Sequence, residues 1–424
     1  MGPKRHEPVA GKGLILGQPK LQPRRRHPGK MSSDQTDSRS YGTTIPASPL
    51  PQVRNLLSAF IVPPLAGKAW FARKDPAAAP RFYHRGSLAL AAGIEAIRKA
   101  GGAATITVWA PDYFCDEALI PLRGLGVNLK FYPIKEDLTP HWQFLEELAG
   151  GTDSPQVLVL VHYFGFPNAG REARRFCDRH EMALLEDSAH VLAPGPGMGM
   201  GDLQIFSPRK VLPVPAGGVL ILPGKLVPYL DGHDKNPPKT AIISWLCRRL
   251  SQRLLVLFHL NWHRFCNIAP NGQLPERQGG LQLSGPWPGD SYTLRLLQVM
   301  AAELRETVEA RRRNYLELAR AISGLGRVRP LFPELGEEVC PYAFPILIEH
   351  GSDGVLATLN AAGIPASRWP TLPPEVLARE MEYQVAIQIH RQILLLPVHQ
   401  GLSPCQLNRM GARLREALGG NFST

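Results

Sequence analysis

The run Val157-Leu158-Val159-Leu160-Val161-His162 is apolar at every position but its last. A strand of that kind persists only where both faces are covered, which means the interior of a parallel sheet packed between helices. The flanking sequence supplies such a fold by alternation. Strands are expected at 105–109 and 129–132, helices at 88–97, 116–125, 142–148 and 171–180, and another buried strand ends in the acidic pair Glu186-Asp187. The chain therefore reads as α/β, with a large domain built on a mostly parallel sheet. With 424 residues it is long enough for a second domain as well.

The C-terminal part reads as a small α+β domain. Strands are expected at 342–348, 363–366 and 393–398, and a helix at 353–362. A closing helix at 403–418 has Ser403 as its cap and Pro404 in its first position. An amphipathic, charge-laced stretch at 292–318 predicts one long helix linking the two domains. The boundaries that follow are a tail at 1–45, a large domain at 46–290 and a linking helix with small domain at 291–424; the prolines of 46–80 predict a segment that wraps the large domain's surface.

Charge narrows the choice of partners. The formal net charge is +12, but residues 1–45 hold nine Lys/Arg and three acids, so half of the excess sits in a Pro-, Gly- and Ser-rich tail without helical or strand period. That tail is expected to be disordered, and Arg24-Arg25-Arg26 reads as solvated charge rather than a nucleic-acid site. Six cysteines at 115, 177, 247, 266, 340 and 405 show no CxxC or framework spacing, which suggests reduced thiols and a cytoplasmic protein. No run reaches membrane-spanning length, and Leu14-Ile15-Leu16 is too short for a signal-peptide core.

The chemistry gathers at strand ends. Asp187 closes a buried strand, where open α/β sheets place their ligands, and Phe206-Ser207-Pro208-Arg209-Lys210 delivers an amine from the neighbouring strand. A carboxylate and an amine converging on a sheet edge suit pyridoxal phosphate, whose aldehyde takes the amine and whose ring nitrogen is kept protonated by the acid. Gly86-Ser87 opens the alanine-rich helix, offering backbone N–H groups, a hydroxyl and the positive dipole end to a phosphate. Ser is equally the commonest structural cap. Tyr113 and Phe114 leave a strand end where a flat ring can stack or where aromatics cap the core.

The ordered set Gly86-Ser87-x-Ala-Leu, Pro111-x-Tyr113-Phe114, Val161-His162-Tyr163-Phe164-Gly165, Glu186-Asp187-Ser188-Ala189-His190, Phe206-Ser207-x-x-Lys210 and Gly217-Gly218, continuing to Leu395-Leu396-Pro397-Val398-His399, resembles the DegT/DnrJ/EryC1/StrS family. That resemblance implies a pyridoxal 5'-phosphate transferase of fold type I. Its large domain carries a sheet of the seven-stranded type, its small C-terminal domain closes over the substrate, and it forms a homodimer with interfacial active sites. The implied activity is amino transfer, from glutamate as the usual donor, to a keto-sugar, often nucleotide-linked, in polysaccharide or secondary-metabolite biosynthesis. By position, Lys210 is the implied Schiff-base lysine and Asp187 the partner of the pyridine nitrogen. His190 stands where the family more often has glutamine. Gly86, Ser87 and Ser207 are the implied phosphate contacts, Tyr113 or Phe114 the stacking ring, and His162 a further cofactor neighbour. The chain departs from the pattern in the short Ser207–Lys210 interval, in Pro208 and Pro213, and in Pro215-Ala216 before the paired glycines, where the family has glutamate. Two other readings stay open: the same cofactor chemistry on another amine or amino acid, and a non-catalytic regulatory or scaffold protein that kept the fold.

Residues 224–290 are longer than the family's connecting segment. Within them, 242–265 intersperses Ile242, Trp245, Leu246, Leu250 and Leu254 with Arg248, Arg249 and Arg253, an apolar, basic helix or helix pair that fits a buried dimer surface better than a membrane surface or an anionic substrate. His259 and His263 have i,i+4 metal spacing without a third ligand type beside them, so no metal site is expected. Arg368-Trp369, in the loop after the short strand, lies in reach of a ligand, although Trp369 fits a packed loop tryptophan better than a specificity residue.

Overall fold

The computed structural model describes residues 45–64, 80–150, 156–192, 194–230, 239–257 and 292–419. The basic tail up to residue 44, the pair His259/His263 and the 271–290 loop lie outside the described residues.

Seven strands form the larger sheet: β1 (Arg81–Tyr83), β2 (Thr107–Pro111), β3 (Asn128–Tyr132), β4 (Gln156–Val161), β5 (Ala183–Ser188), β6 (Leu203–Phe206) and β7 (Gly218–Ile221), in the order β1-β7-β6-β5-β4-β2-β3. β3, β2, β4, β5 and β6 run parallel, while β7 is antiparallel to both β6 and β1. The apolar run at 157–161 sits in the middle of this sheet and is fully buried, as its lack of any polar face requires. From β2 the chain moves outward to β3, then returns to place β4 on the opposite side of β2. Such a reversal opens a crevice beyond the carboxyl ends of the strands, and this is where α/β sheets take their ligands.

The helix Gly86–Ala100 packs on the sheet with Gly93 facing it, and Leu90, Ala91 and Ile94 are buried. Gly93 permits that contact, because a Cβ there would stand 2.9 Å from a Leu203 methyl and 3.1 Å from one of Leu220. The second sheet, β8 (Val328–Pro330), β9 (Ala343–Ile348) and β10 (Ile393–Pro397), is antiparallel in the order β10-β9-β8. One hydrophobic core runs from the first sheet into the second, joining Val159 and Leu185 to Phe344 and Leu394.

Three expectations change. The linking helix is two helices, Tyr292–Ala301 and Leu304–Ile322. Between them the backbone turns to i→i−3 bonds, Ala302 N–H to Val299 O and Glu303 N–H to Met300 O, and Glu303 reaches out to Arg54 and Asn55. The strand expected at 363–366 is reduced to one isolated pairing, Ser367 with Leu395, since Pro365 has no N–H to give a ladder. Lys210 rides on a single helical turn, Pro208–Val211, immediately after β6, with Pro208 at its start.

The apolar, basic stretch forms the helix Lys239–Leu257, with residues 258–265 outside the described part. Trp245 is buried, Arg249 lies over its ring and meets Ser48, and Arg253 donates to Pro51 O, so its basic side chains fasten the helix to the 48–51 segment. Among the described residues no helix is long and apolar enough to cross a membrane. The closing helix Pro404–Gly419 carries the expected cap in reciprocal form: Ser403 Oγ accepts from Gln406 N–H, and Gln406 Oε1 accepts from Ser403 N–H.

Arg311 fastens the second sheet to the first. Its guanidinium is buried without a carboxylate and donates to Gln400 Oε1, to the carbonyls of Pro341 and Tyr342, and to Val211 O at 2.7 Å, on the turn that carries Lys210. Burial lowers its pKa. Four well-placed acceptor contacts of this kind hold a cation that a bare cavity would expel.

Candidate active site

The carboxyl ends of β2, β4, β5 and β6 open into a cavity of about 190 Å³. Its floor holds Asp187, His190 and Lys210. Gly86, Ser87, Ser207 and Arg209 line one end, Phe114 and His162 the sides, and Tyr342 and Trp369 reach in from the second-sheet side. The sequence-expected residues thus meet in one place, with one exception. Tyr113 is fully buried behind the cavity wall, stacked on Trp369 at 5.0 Å, with its own carbonyl accepting the Tyr163 hydroxyl. Of the adjacent pair, which follows the end of β2 through a bend, only Phe114 lines the cavity.

Asp187, next to last in β5, is nearly buried, and its Oδ1 accepts the Ala189 N–H at 2.9 Å. Burial raises its pKa, opposed chiefly by the Lys210 charge. Lys210 is half-buried and places Nζ 3.1 Å from His190 Nε2. Burial lowers the lysine's pKa, against the upward pull of Cys115 and Asp187. His190 is held flat on the Tyr342 ring, 4.4 Å away and 3° from parallel, with Trp369 meeting it edge-on. Burial, then the neighbouring lysine charge, pushes its pKa well below the ordinary value.

At the other end, the helix Gly86–Ala100 begins without a side-chain cap, and its first backbone bond is Ala89 N–H to Arg85 O. The N–H groups of Gly86, Ser87 and Leu88 precede that bond at the positive end of the helix dipole. Ser207 faces Gly86 across the gap, but its hydroxyl proton is directed to Gly217 O at 3.3 Å. The paired glycines have a steric reason as well: a Cβ on Gly218 would overlap the Arg85 carbonyl, and Gly217 has φ +149°. β7 can therefore start only by passing directly against the helix N-terminus.

Behind Asp187 lies a constellation that the motif order did not single out. Glu186 is fully buried and its carboxylate accepts from the N–H groups of Gly199, Met200 and Gly201 and from Gln204 Nε2, all between 2.7 and 3.0 Å. His162 Nε2 stands 3.5 Å from it, and His162 Nδ1 accepts from Asn168 N–H. Burial opposes the Glu186 charge, but the imidazole of His162 beside it, with the Gln204 and Gly199 donors, outweighs burial and brings the pKa down to about 2. A carboxylate inside an otherwise apolar strand, followed by the glycines of 195–201, is the sequence signal for such an anion nest.

Because its folded pKa lies below the ordinary 4.5, Glu186 stabilises the fold fully above that value and loses its contribution as pH falls towards 2. The difference corresponds to about 3 kcal/mol. Glu186→Gln should lower the unfolding free energy at pH 7 by that order, read from denaturant unfolding, and flatten the acid limb of the stability curve. Superimposable wild-type and variant curves from pH 3 to 7 would remove the carboxylate from this role.

The loop pair Arg368-Trp369 divides. Arg368 lines the cavity, but its guanidinium is tied to Asp353, Ser352 Oγ and the Arg391 carbonyl. Trp369 presents a buried indole N–H that has no hydrogen-bond partner. Trp369 is in reach by loop position, but Tyr342 does not stand out in the sequence, and only the packing of the second sheet against the first brings it to the wall. Among the described residues no cluster of three or more His, Cys, Asp and Glu could hold a metal ion.

No protein-family model and no curated protein matches the chain. Solved structures do. PseC of Helicobacter pylori, an aminotransferase of pseudoaminic acid biosynthesis, is 14% identical over 89% of this chain and 99% of its own, with a TM-score of 0.61. DesV of S. venezuelae is 19% identical over 80% of this chain and 85% of its own, TM-score 0.58. A DegT DnrJ EryC1 StrS aminotransferase from Brucella abortus is 16% identical over 87% and 96%, TM-score 0.58. The chain has the fold of these aminotransferases.

Proposed function

We propose that this chain is a pyridoxal 5'-phosphate-dependent aminotransferase of the DegT/DnrJ/EryC1/StrS type, acting on a keto-sugar, often nucleotide-linked, with glutamate as amino donor. The observation that carries the reading is the meeting of the Lys210 amine and the Asp187 carboxylate in one cavity at the crevice of the sheet. The residues suit the cofactor. The open N-terminus at Gly86-Ser87, with Arg209 beside it, is a seat for a phosphate dianion. Phe114 offers an aromatic face, and the unpartnered Trp369 N–H is a donor awaiting an acceptor. The likeness to PseC, an aminotransferase of pseudoaminic acid biosynthesis, supports the sugar reading.

When bound, the cofactor supplies an aldehyde that takes up an amino group and a protonated ring that draws electrons from the adjoining carbon. Asp187 would favour a protonated ring nitrogen by offering it a buried negative charge. Lys210 would hold the cofactor through its aldehyde and, as a free amine, would carry a proton from the substrate carbon to the former aldehyde carbon, two bonds away across the nitrogen being transferred. Trp369, Tyr342 and Phe114 keep water out. The three-stranded sheet and its helices act as the small, closing domain. A homodimer accords with the apolar side chains of Leu250, Leu254 and Leu257 left exposed on the helix Lys239–Leu257.

The test is to load the purified full chain with pyridoxal 5'-phosphate, follow its visible absorption on addition of glutamate, and then supply a panel of nucleotide-linked keto-sugars. Colour change with glutamate and its reversal by one of the sugars is the expected result. Reversal only by a keto acid or simple aldehyde would move the substrate outside the sugars, and failure to bind cofactor at all would leave a non-catalytic homologue.

A further inference from the structure

His190 has two ring nitrogens, and the backbone decides which one carries its proton. The Phe164 N–H donates to Nδ1 at 3.3 Å, so Nδ1 must offer a lone pair. That donor is aimed by an unusual backbone: Phe164 adopts φ 54°, the left-handed region that a bulky side chain rarely visits, in the turn that leaves β4. The turn is fixed from outside. Phe164 O accepts the Tyr342 N–H at 2.8 Å, and Gly165, at φ +89°, lies so close to the Cys340 carbonyl that any Cβ would overlap it. The imidazole is neutral and clamped between Tyr342 and Phe164, both nearly parallel to it. A neutral ring whose Nδ1 accepts has its proton on Nε2, and Nε2 is the atom 3.1 Å from Lys210 Nζ.

Two donors cannot share one hydrogen bond. An ammonium at Lys210 would set its protons against Nε2–H, whereas the free amine accepts Nε2–H through its lone pair. We propose that His190, locked in its Nε2–H form by the Phe164 amide, is a positioning residue that holds Lys210 as an uncharged amine, ready to attack a carbonyl. This deepens the aminotransferase reading and rests on it only for the identity of that carbonyl. The other groups facing Lys210 divide. Asp187 and Glu117 favour the ammonium, Arg209 opposes it, and Cys115, whose thiol burial pushes up, adds negative charge only at high pH. His190 is the only one of these that discriminates by hydrogen-bond direction.

The test uses the cofactor-free full chain. Trace acetylation from pH 6 to 11, with the Lys210 peptide quantified by mass spectrometry, gives the midpoint at which the amine becomes reactive. His190→Gln retains a polar side chain of similar reach but can turn its amide oxygen to an ammonium. The midpoint should therefore rise by about one pH unit, leaving roughly tenfold less free amine at neutral pH. An unchanged or lower midpoint in a variant with wild-type circular dichroism would overturn the proposal. In wild type, long-range ¹H–¹⁵N correlation of labelled histidine should report Nδ1 bare and Nε2 protonated across pH 6 to 9, and a protonated Nδ1 would overturn it as well. Neither measurement needs pyridoxal phosphate. A protein that shows the shift yet never binds the cofactor defeats the enzymatic reading alone, and an active enzyme without the shift defeats this one alone.

Discussion

Lys210→Ala is expected to abolish covalent capture of pyridoxal 5'-phosphate and to reduce amino transfer by at least ~10³-fold, the upper part of the range for a positioned proton-transfer group that is also the nucleophile. The expectation comes from where the amine stands rather than from its being a lysine. Nζ stands 3.1 Å from His190 Nε2, and Lys210 lines the same cavity as Asp187. The phosphate seat at Gly86-Ser87 and the Phe114 face are untouched by the substitution, so the variant should still bind the cofactor reversibly. Borohydride reduction of the loaded wild type followed by peptide mapping should place the label on Lys210, and the variant should release its cofactor on denaturation. A surface lysine of no function would behave otherwise, changing stability by less than about 0.5 kcal/mol and leaving turnover intact. Label on a different lysine would reassign the site.

What the sequence made legible follows from how locally each feature is encoded. The apolar run at 157–161 and the acid ending β5 are local patterns, and both stand where their burial demands. The ordered motifs brought Gly86, His162, Asp187, His190, Ser207 and Lys210 to one cavity because each sits at or just beyond an end of a sheet strand, and strand ends are gathered by the sheet itself. Other features needed tertiary information. Tyr113 and Phe114 are adjacent, and which of them turns inward depends on the twist and end of β2. The break at Ala302-Glu303 has no glycine or proline to mark it; it arises where the Glu303 carboxylate is engaged by Arg54 and Asn55, about 250 residues away. Arg311 looks like one more charge on an amphipathic helix. Only the convergence of the Val211, Pro341 and Tyr342 carbonyls makes its burial possible.

Asp187→Ala should retain bound cofactor and lose amino transfer by ~10²–10⁴-fold, the scale on which removing one positioned charge or acid–base group acts. The carboxylate is nearly buried at the tip of β5, so the charge it presents to a ring nitrogen is little screened by water. With alanine there, nothing holds a proton on that nitrogen, and the ring loses its pull on electrons at the reacting carbon. Lys210 and the phosphate seat remain, so cofactor content should fall far less than rate. The competing role for Asp187 is visible in the same geometry: its Oδ1 accepts the Ala189 N–H, which by itself is a turn-capping bond. Loss of a cap costs about 1 kcal/mol of stability and leaves each folded molecule as active as before. The two roles separate in single-turnover absorbance with glutamate, measured on folded variant saturated with cofactor. A rate within a few-fold of wild type would leave Asp187 as a cap, whereas a loss of two or more orders of magnitude with an unchanged unfolding midpoint would assign its charge to the ring.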